Sequence, residues 1–419
     1  MTNLKSGKGK EVNPLEIDAT KVKEKLDKGE DVFILDVRTP EEHDTWKFSY
    51  DRYQETPVIP IDRLVNSENT VSEQIPKDKE ILTVCSHGNR SQMAAQVLSK
   101  MGYKVKNIKG GMAAWNQVYD VAKLPGSNVI TTATTATQCT EQVAVWQLRR
   151  VSKGCMGYVI AVGDAATVID STCDLDSSVL RLAEDNGLKI TNVIDTHMHA
   201  DHVSGLSTIA KRIGANAFIS AEEEYEPAID LGIQVTPIKD NQKIPIGDNV
   251  SLIAIHTPGH TEGSMSFVLN LDNEEEEEEG RGQKTRSCIF TGDTLFVNAV
   301  GRPDLHNKAR EFADKLYDTY QNKILQYPDN SIILPAHFDT NSIAVKHNEL
   351  ISETIGSIKR KVKLLSIPKN DFMDFMVSSV ATRPANYEKI IQINKELILC
   401  DRINSGNLEE GPNSCGIRM

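Results

Sequence analysis

The chain has 419 residues, of which 39% are hydrophobic and 25% are charged, and its formal net charge is −12. This length exceeds what one ordinary hydrophobic core needs, so two domains are expected. The negative charge argues against a nucleic-acid partner, because binding to a phosphate backbone relies on a basic surface. No apolar run reaches the length of a membrane span, so no membrane partner is expected. The seven cysteines are scattered and odd in number, which indicates a reducing, cytoplasmic protein without a disulfide framework.

The first part of the chain alternates strand and helix patterns. Residues 31–38 and 79–85 are short apolar runs typical of buried strands. Residues 91–101 are typical of a helix, and residues 104–115 of a strand followed by a further helix. This alternation predicts an α/β domain, a parallel sheet with flanking helices, over residues 12–122.

Residues 123–139 are small and polar without periodicity, so we predict a linker there. A second domain is expected over residues 140–419, built first from strands and then from strand–loop–helix units, with a C-terminal tail from about residue 351. Six consecutive glutamates, residues 274–279, repel one another and predict a solvated extension between two strands.

Cys85 stands where a predicted strand ends and a predicted helix begins. The loop from Cys85 to Arg90 can curl around the sulfur, with Gly88 allowing the tight curvature. Backbone N–H groups, the helix N-terminus and the charge of Arg90 would all favour a thiolate or a persulfide anion at Cys85. The alternative is a small buried cysteine without chemistry.

A second candidate site consists of histidines and aspartates that follow four predicted strands. The candidate ligands are His197, His199, Asp201, His202, His260, Asp293 and His337. Loops at one end of a sandwich converge, and imidazole with carboxylate suits Zn, Fe or Mn, so a metal site is predicted. The spacing fits one ion or two. With two ions, His197 and His199 would face one, Asp201 and His202 would face the other, and Asp293 could bridge them.

The motifs DVRTPEEH (36–43), CSHGNRS (85–91) and KGGMAAW (109–115) resemble the single-domain rhodanese family of sulfurtransferases. The resemblance implies that Cys85 carries a sulfane sulfur as a persulfide and that Arg90 is the closing arginine of its loop. The substrate-binding candidates in this loop are Ser86, His87, Gly88 and Asn89. The usual Gly-His-Ile after the acidic segment is replaced by residues 44–56, which alters a loop near the site.

The motifs THMHADHVSG, HTPGHTEGSMSF, FTGDTLFVNAVGRPDL, LPAH, PANYEKIIQIN and GPNSCG resemble the persulfide dioxygenase branch of the metallo-β-lactamase superfamily over about residues 140–419. The resemblance implies an αββα sandwich and one Fe(II) per chain, held by His197, His260 and Asp293 as a facial triad. The remaining four candidate ligands would then orient the others by hydrogen bonds. Arg302 is similar to a family arginine near the anionic end of the thiol substrate, and a structural salt bridge is its alternative role. The sequence FDTNS after His337 departs from glutathione-using relatives.

Together these resemblances predict an enzyme of sulfur metabolism. It would oxidise a low-molecular-weight persulfide with O2 to sulfite and a thiol, and transfer sulfane sulfur through Cys85 between persulfide, sulfite and thiosulfate. The carrier thiol (glutathione, coenzyme A or another), the direction of transfer and homo-oligomerisation stay open. The alternative is a dinuclear zinc thioester hydrolase resembling glyoxalase II with a rhodanese-like accessory module, which would hold two Zn instead of one Fe. A non-enzymatic docking or sulfur-sensing role for the first domain is the third option.

Overall fold

The computed structural model describes residues 15–51, 53, 56–66, 74–125, 128–134, 137–227, 230–271, 286–304, 308–380, 383 and 386–419. The chain divides into two units, Met1–Val118 and Tyr119–Met419. Within the described ranges, no helix has both the length and the apolar character needed to cross a membrane. The predicted glutamate-rich extension lies outside the described residues.

The first unit contains a parallel sheet with the strand order β1-β4-β3-β2, as far as its described residues go. Its strands are β1 Glu16–Ile17, β2 Val32–Asp36, β3 Glu80–Val84 and β4 Val105–Ile108. Its helices are α1 Ala19–Asp27, α2 Pro40–Thr45, α3 Ile61–Asn66, α4 Asn89–Lys100 and α5 Gly111–Trp115. Leu35, Ile81 and Leu98 belong to the core between strands and helices. The predicted parallel α/β arrangement is confirmed.

The second unit contains two larger sheets. The strands of the first sheet are β5 Tyr119–Lys123, β6 Asn128–Thr134, β7 Thr137–Arg150, β8 Met156–Val162, β9 Ala165–Ile169, β10 Lys189–Ile194, β11 Asn216–Ser220 and β12 Val235–Ile238. Their order is β12-β11-β10-β9-β8-β7-β5, and β6 pairs with β7. The strands of the second sheet are β13 Lys243–Pro245, β14 Ser251–His256, β15 Met265–Asn270, β16 Ser287–Gly292, β18 Ile332–Pro335 and β19 Glu353–Thr354, in the order β13-β14-β15-β16-β18-β19. A short pair joins β17 Val300–Gly301 to β20 Gly416–Ile417.

The described residues of this unit also form α-helices. They are α6 Asp176–Asp185, α7 Leu206–Ile213, α8 Ala309–Asn322, α9 Ile355–Lys361, α10 Lys369–Ser378, α11 Tyr387–Lys395 and α12 Ser405–Leu408. Helices α6 and α7 share a core with the first sheet, and α8 to α10 share another with the second. The rings of Tyr158 on β8 and Phe290 on β16 pack 5.0 Å apart, so the inner faces of the two sheets meet. The predicted αββα sandwich is confirmed.

The segment predicted as a linker, residues 123–139, differs in the structure. β5 ends at Lys123, and β6 pairs with β7 in an antiparallel hairpin from Asn128 opposite Val143 to Thr134 opposite Thr137. This segment is rich in threonine, whose β-branched side chain favours extended backbone even without apolar alternation. A prediction based on hydrophobic periodicity therefore missed these strands.

The prediction that the cysteines form no disulfide is wrong for one pair. Cys173 and Cys400 are disulfide-bonded across a separation of 227 residues. Cys173 begins a 3-10 helix before α6, and Cys400 begins another after α11. Such a distant pair leaves no local spacing pattern, which is why the sequence did not reveal it.

Candidate metal centre and cysteine loop

Cys85 lies between the end of β3 and the start of α4, and 2% of it is exposed. Its Sγ accepts hydrogen bonds from the backbone N–H of Gly88 at 3.1 Å and of Ser91 at 3.4 Å. The Ser91 hydroxyl contributes a third, at 3.2 Å. Several donors converging on one sulfur stabilise negative charge there, whether on a thiolate or on a persulfide.

Two glycines of the KGGMAAW motif form the back of this loop. The N–H groups of Met112 and Ala113 donate to the carbonyls of Cys85 and Ser86, at 2.8 and 3.0 Å. A Cβ on Gly111 would lie 2.0 Å from the Cys85 carbonyl oxygen, and Gly111 has a φ of +60°. Only glycine allows this approach, so the motif fixes the shape of the cysteine loop.

Arg90 does not act alone beside this loop. Its guanidinium binds both carboxylate oxygens of Glu42, at 2.8 and 2.6 Å, and the Ser86 hydroxyl at 3.1 Å. The hydrogen bond from Arg90 lowers the pKa of Glu42 to about 2, so Glu42 is ionised at neutral pH. Glu42 therefore shares the positive charge that the sequence assigned to the sulfur anion. His87 and Asn89 are exposed on the loop surface.

The capping of α2 explains the position of Glu42. The Thr39 hydroxyl accepts from the Glu42 N–H, while the Glu42 carboxylate accepts from the Thr39 N–H, so the two residues form a capping box. The sequence Thr-Pro-Glu-Glu carries this signal, yet the partnership with Arg90 is tertiary and left no pattern in the sequence.

The second site brings together His197, His260 and Asp293, the three residues that the resemblance assigned to Fe(II). They follow β10, β14 and β16, and between 1% and 2% of each is exposed. Asp293 Oδ2 lies 3.7 Å from His197 Nε2 and 3.5 Å from His260 Nε2. The Nδ1 atoms are engaged by the Thr196 hydroxyl and the Arg302 carbonyl, both at 2.9 Å, so each Nε2 faces the centre.

This trio fits a metal ion. Two atoms bound to one ion at about 2.1 Å, at the angles found in metal sites, are about 3.0–3.5 Å apart, close to the separations seen here. Asp293 Oδ2 is buried and has no hydrogen-bond partner among the described residues. A buried carboxylate oxygen without a partner costs free energy, and an ion coordinated by all three side chains would remove that cost.

The charge states of the trio agree with this role. Burial lowers the pKa of His197 well below its usual range, and neighbouring His199 adds to the effect. Burial also lowers the pKa of His260. Burial on its own would raise the pKa of Asp293, but the charge and hydrogen bond of His337 outweigh it and lower that pKa. Neutral imidazoles and an ionised carboxylate are the forms that bind metals.

A second cluster adjoins the first and contains Cys155, Asp201, His202 and His337, all buried. Asp201 lies 3.0 Å from His337 Nε2, 3.1 Å from His202 Nδ1 and 3.4 Å from Cys155 Sγ. The other side of His337 contacts Asp293, with Nδ1 2.5 Å from Oδ1. Cys155 was missed by the sequence analysis, because it lies at the start of β8, far from every ligand motif.

Opposite charges stabilise this second cluster. Burial would lower the pKa of His202 and His337, but Asp201 raises both well above their usual range. Burial would raise the pKa of Asp201, and the two histidines hold it well below its usual range instead. The Nε2 atoms of His202 and His337 have no hydrogen bond within the described residues, although His337 Nε2 lies 3.0 Å from Asp201.

His199 belongs to neither cluster. Its Nε2 lies 3.2 Å from Asp170 Oδ1, and Asp170 also accepts the N–H and hydroxyl of Thr196 at 2.8 and 2.9 Å. His199 therefore does not face the same ion as His197, as the two-ion arrangement expected. Through Asp170, His199 supports the loop after β10 that carries His197, Asp201 and His202, which we call the ligand loop. Asp170 was not among the residues predicted from sequence.

Arg302 forms a buried ion pair, which is the alternative role that its sequence context allows. Its Nε and Nη2 donate to Asp304 at 2.7 Å each, and 1% of Arg302 is exposed. A buried guanidinium requires a carboxylate partner because its desolvation is costly, and Asp304 supplies one two residues along the chain. Arg302 still serves the site, since its carbonyl orients His260.

The C-terminal segment, residues 394–413, holds the ligand loop through hydrogen bonds. The Asn394 side chain donates to the carbonyls of His199 and His202, each at 2.9 Å. Glu409 accepts from the N–H of Val203 at 2.8 Å, and Asn413 donates to Asp201 Oδ2 at 2.9 Å. The sequence predicts a tail here, whereas in the structure this segment positions the ligand loop.

The comparisons with known proteins cover both units. The model for the rhodanese-like domain matches residues 18–118, and the model for the metallo-beta-lactamase superfamily matches residues 153–273. The mitochondrial persulfide dioxygenase ETHE1 of Bos taurus is 27% identical over 251 residues, 56% of this chain and 85% of the relative. An uncharacterized protein of Mycobacterium tuberculosis is 27% identical over 215 residues, 46% of this chain and 89% of the relative.

Among solved structures, a metallo-beta-lactamase from Staphylococcus aureus subsp. aureus COL superimposes on the chain. The TM-score is 0.52 at 29% sequence identity, over 60% of this chain and 71% of that chain. This likeness agrees with the two-sheet sandwich of the second unit. The chain therefore joins a rhodanese-like domain to a domain of the metallo-β-lactamase superfamily.

Proposed function

We propose that the second domain oxidises a low-molecular-weight persulfide at one Fe(II) held by His197, His260 and Asp293. The reaction is RSSH + O2 + H2O → RSH + SO3²⁻ + 2H⁺, in which the sulfane sulfur is oxidised and O2 is reduced. The proposal is carried by the buried trio of two imidazoles and one carboxylate, in a chain similar to a persulfide dioxygenase. Bound iron would supply the redox chemistry with O2 that amino-acid side chains lack.

The residues around the trio have supporting roles in this proposal. Thr196 and the Arg302 carbonyl hold the two imidazole rings, so that both Nε2 atoms stay directed at the ion. A proton between His337 Nδ1 and Asp293 Oδ1 fixes the carboxylate and leaves Oδ2 for the ion. The near-complete burial of all three ligands limits the access of water to a reactive sulfur.

We further propose that Cys85 transfers the sulfane sulfur. A Cys85 persulfide reacts with sulfite to give thiosulfate and the free thiol: the S–S bond of the persulfide breaks, and a new S–S bond forms to sulfite. The donors from Gly88 and Ser91 stabilise the sulfur anion on either side of the exchange. Joining the two domains in one chain raises the local concentration of the shared sulfite.

Metal analysis and oxygen uptake test the dioxygenase proposal. Protein purified without oxygen should contain one Fe per chain, and the iron-loaded form should consume O2 only when a persulfide is added. Asp293→Asn should lose at least nine tenths of both iron and activity, whereas Asp318→Asn, a control at an exposed position of α8, should keep both. The proposal is contradicted if zinc-loaded protein takes up oxygen, or if iron-loaded protein takes up no oxygen when persulfide is added.

The sulfurtransferase proposal has its own assay. Cys85→Ser should abolish the transfer of sulfur from thiosulfate to cyanide, while oxygen uptake with persulfide continues, because the two sites lie in separate domains. Negligible transfer by the wild type, left unchanged by the substitution, would favour a docking or sensing role for the first domain.

A dinuclear zinc thioester hydrolase is the second candidate, and the second cluster favours it. Asp201, His202, His337 and Cys155 could hold another ion next to the trio, with Asp293 between the two. Two zinc ions held there would supply the activated water that thioester hydrolysis requires. Two Zn per chain together with thioester hydrolysis would favour this function, and one Fe with persulfide-dependent oxygen uptake would exclude it.

A further inference from the structure

A cavity of about 220 Å³ opens beside the second cluster. Three segments line it: residues 296–299, residues 337–339 and residues 413–418. The last segment is held in place by the pairing of β20 with β17. One wall of the cavity is therefore the C-terminal strand, which neither family model covers.

The inner end of the cavity reaches the candidate metal centre. His337 lines the cavity and contacts Asp293 through Nδ1 at 2.5 Å. Asn413 lines it as well and donates to Asp201 at 2.9 Å. The inner end of a molecule in the cavity would therefore be separated from the trio only by the side chain of His337.

The size of the cavity limits what it can enclose. Pockets for drug-sized ligands typically measure about 300–1,000 Å³, and this cavity is smaller. A tripeptide thiol such as glutathione approaches the size of those ligands, so the cavity would enclose only part of it. The persulfide of a single amino acid is small enough to fit inside.

The lining changes from apolar to charged toward the outside. Phe296 and Phe338 contribute aromatic walls, and each is 3% exposed. Farther out, Arg418 and Asp339 form an ion pair whose side chains are 38% and 26% exposed. Partly exposed ion pairs contribute little free energy, so a ligand with one carboxylate and one ammonium could exchange partners with this pair at small cost.

Building on the proposed function, we propose that this cavity selects persulfides of amino-acid size, such as cysteine persulfide, over glutathione persulfide. The carboxylate of the substrate would bind Arg418, and its ammonium would bind Asp339. The methylene would lie between the phenylalanine rings, and the sulfur atoms would extend past His337 toward the ion held by the trio.

Calorimetry on the full chain prepared without iron tests this selection apart from catalysis. The unreactive probes are S-methylcysteine and S-methylglutathione. S-methylcysteine should bind at least tenfold more tightly, and Arg418→Gln should weaken its binding about tenfold. Arg360→Gln, a control that removes an exposed arginine from α9, should leave the affinity unchanged. Equal or tighter binding of the glutathione probe, or no effect of Arg418→Gln, overturns the inference.

Oxygen uptake by iron-loaded protein separates this inference from the proposed function. Faster uptake with cysteine persulfide supports both. A preference for glutathione persulfide refutes the selection and leaves the dioxygenase function intact. Uptake with neither persulfide refutes the function, and calorimetry then still decides whether the cavity selects by size and charge.

Discussion

Asp293 serves two neighbours with its two carboxylate oxygens. Oδ2 faces His197 and His260 without a hydrogen bond, while Oδ1 contacts His337. The first oxygen is therefore the one that an ion would take, and the second ties the trio to the cluster behind it. An ionised aspartate can fill both roles because each of its two oxygens accepts.

The ion pair between Glu42 and Arg90 beside the cysteine loop can be tested by measuring stability at different pH values. Its pKa in the folded chain is about 2, below the ordinary value of 4.5, because Arg90 donates to it. A depressed carboxyl pKa gives stability that is present above pH 4.5 and is lost as the pH falls toward 2. Glu42→Gln should therefore lower the melting temperature at pH 6, by an amount equivalent to about 1 kcal/mol or less because the pair is partly exposed.

The difference between wild type and Glu42→Gln should shrink as the pH is lowered toward 3. Thermal denaturation at both pH values measures it, and Glu41→Gln, a change at the exposed neighbour on the same helix, is the control. A difference that stays constant between the two pH values would show that Arg90 does not depress the pKa of Glu42.

Sequence predicts residues best where the residue type itself is unusual. The candidate metal ligands were histidines and aspartates that directly follow strands. The structure brings six of the seven into two adjoining clusters. Cys155 and Glu42 could not be found in this way, because ordinary cysteines and glutamates are common and the partners of these two lie far away in the chain. The sequence left two roles open for Arg302, and only the fold shows it buried together with its partner Asp304.

At the scale of elements, the turn before α5 determines the shape of the cysteine loop. A methyl group on Gly111 would meet the Cys85 carbonyl at 2.0 Å and the Gly88 nitrogen at 2.8 Å. Gly111→Ala must therefore displace the loop, and we expect sulfur transfer to fall at least tenfold. Strain from the positive φ adds a stability loss of roughly 1–3 kcal/mol.

Gly102→Ala is the matched control for this prediction. Gly102 also has a positive φ, of +85°, but an added Cβ would have no atom within 4 Å. This variant should lose stability and keep its transfer rate per folded molecule. Equal loss of activity in the two variants, measured with thiosulfate and cyanide, would show that backbone strain alone explains the effect.

Elements with strong hydrophobic periodicity were predicted well, and those without it were not. The runs at residues 31–38 and 79–85 contain β2 and β3, since buried parallel strands are almost continuously apolar. β6 and the first residues of β7 were predicted to be a linker, because this stretch is threonine-rich and shows no apolar alternation. Propensity, rather than periodicity, was the usable signal there.

At the scale of the whole molecule, the Cys173–Cys400 disulfide closes a very long loop. A cross-link of this kind restricts the unfolded chain and typically contributes about 2–5 kcal/mol. Reductant should therefore lower the melting temperature of the second domain by several degrees. The double variant Cys173→Ser/Cys400→Ser should melt at the reduced temperature with or without reductant, as measured by calorimetry. Identical melting of oxidised and reduced wild type would contradict this.

The two-domain division could be predicted because each half carries motifs of its own family. The role of the C-terminal segment could not, because its contacts with the ligand loop span about half of the chain. Asn394 and Asn413 are ordinary residues in sequence, and only folding brings them to residues 199–204.

These contacts set the order in which the molecule can be completed during synthesis. The ligand loop leaves the ribosome about two hundred residues before Asn394, Glu409 and Asn413 are added, so it must wait for its supports. The candidate ligands in this loop reach their full set of supporting contacts only after residue 413 has been added. A premature stop between residues 274 and 393 would spare both stretches that match known families, yet would leave the centre without the side chains that brace it.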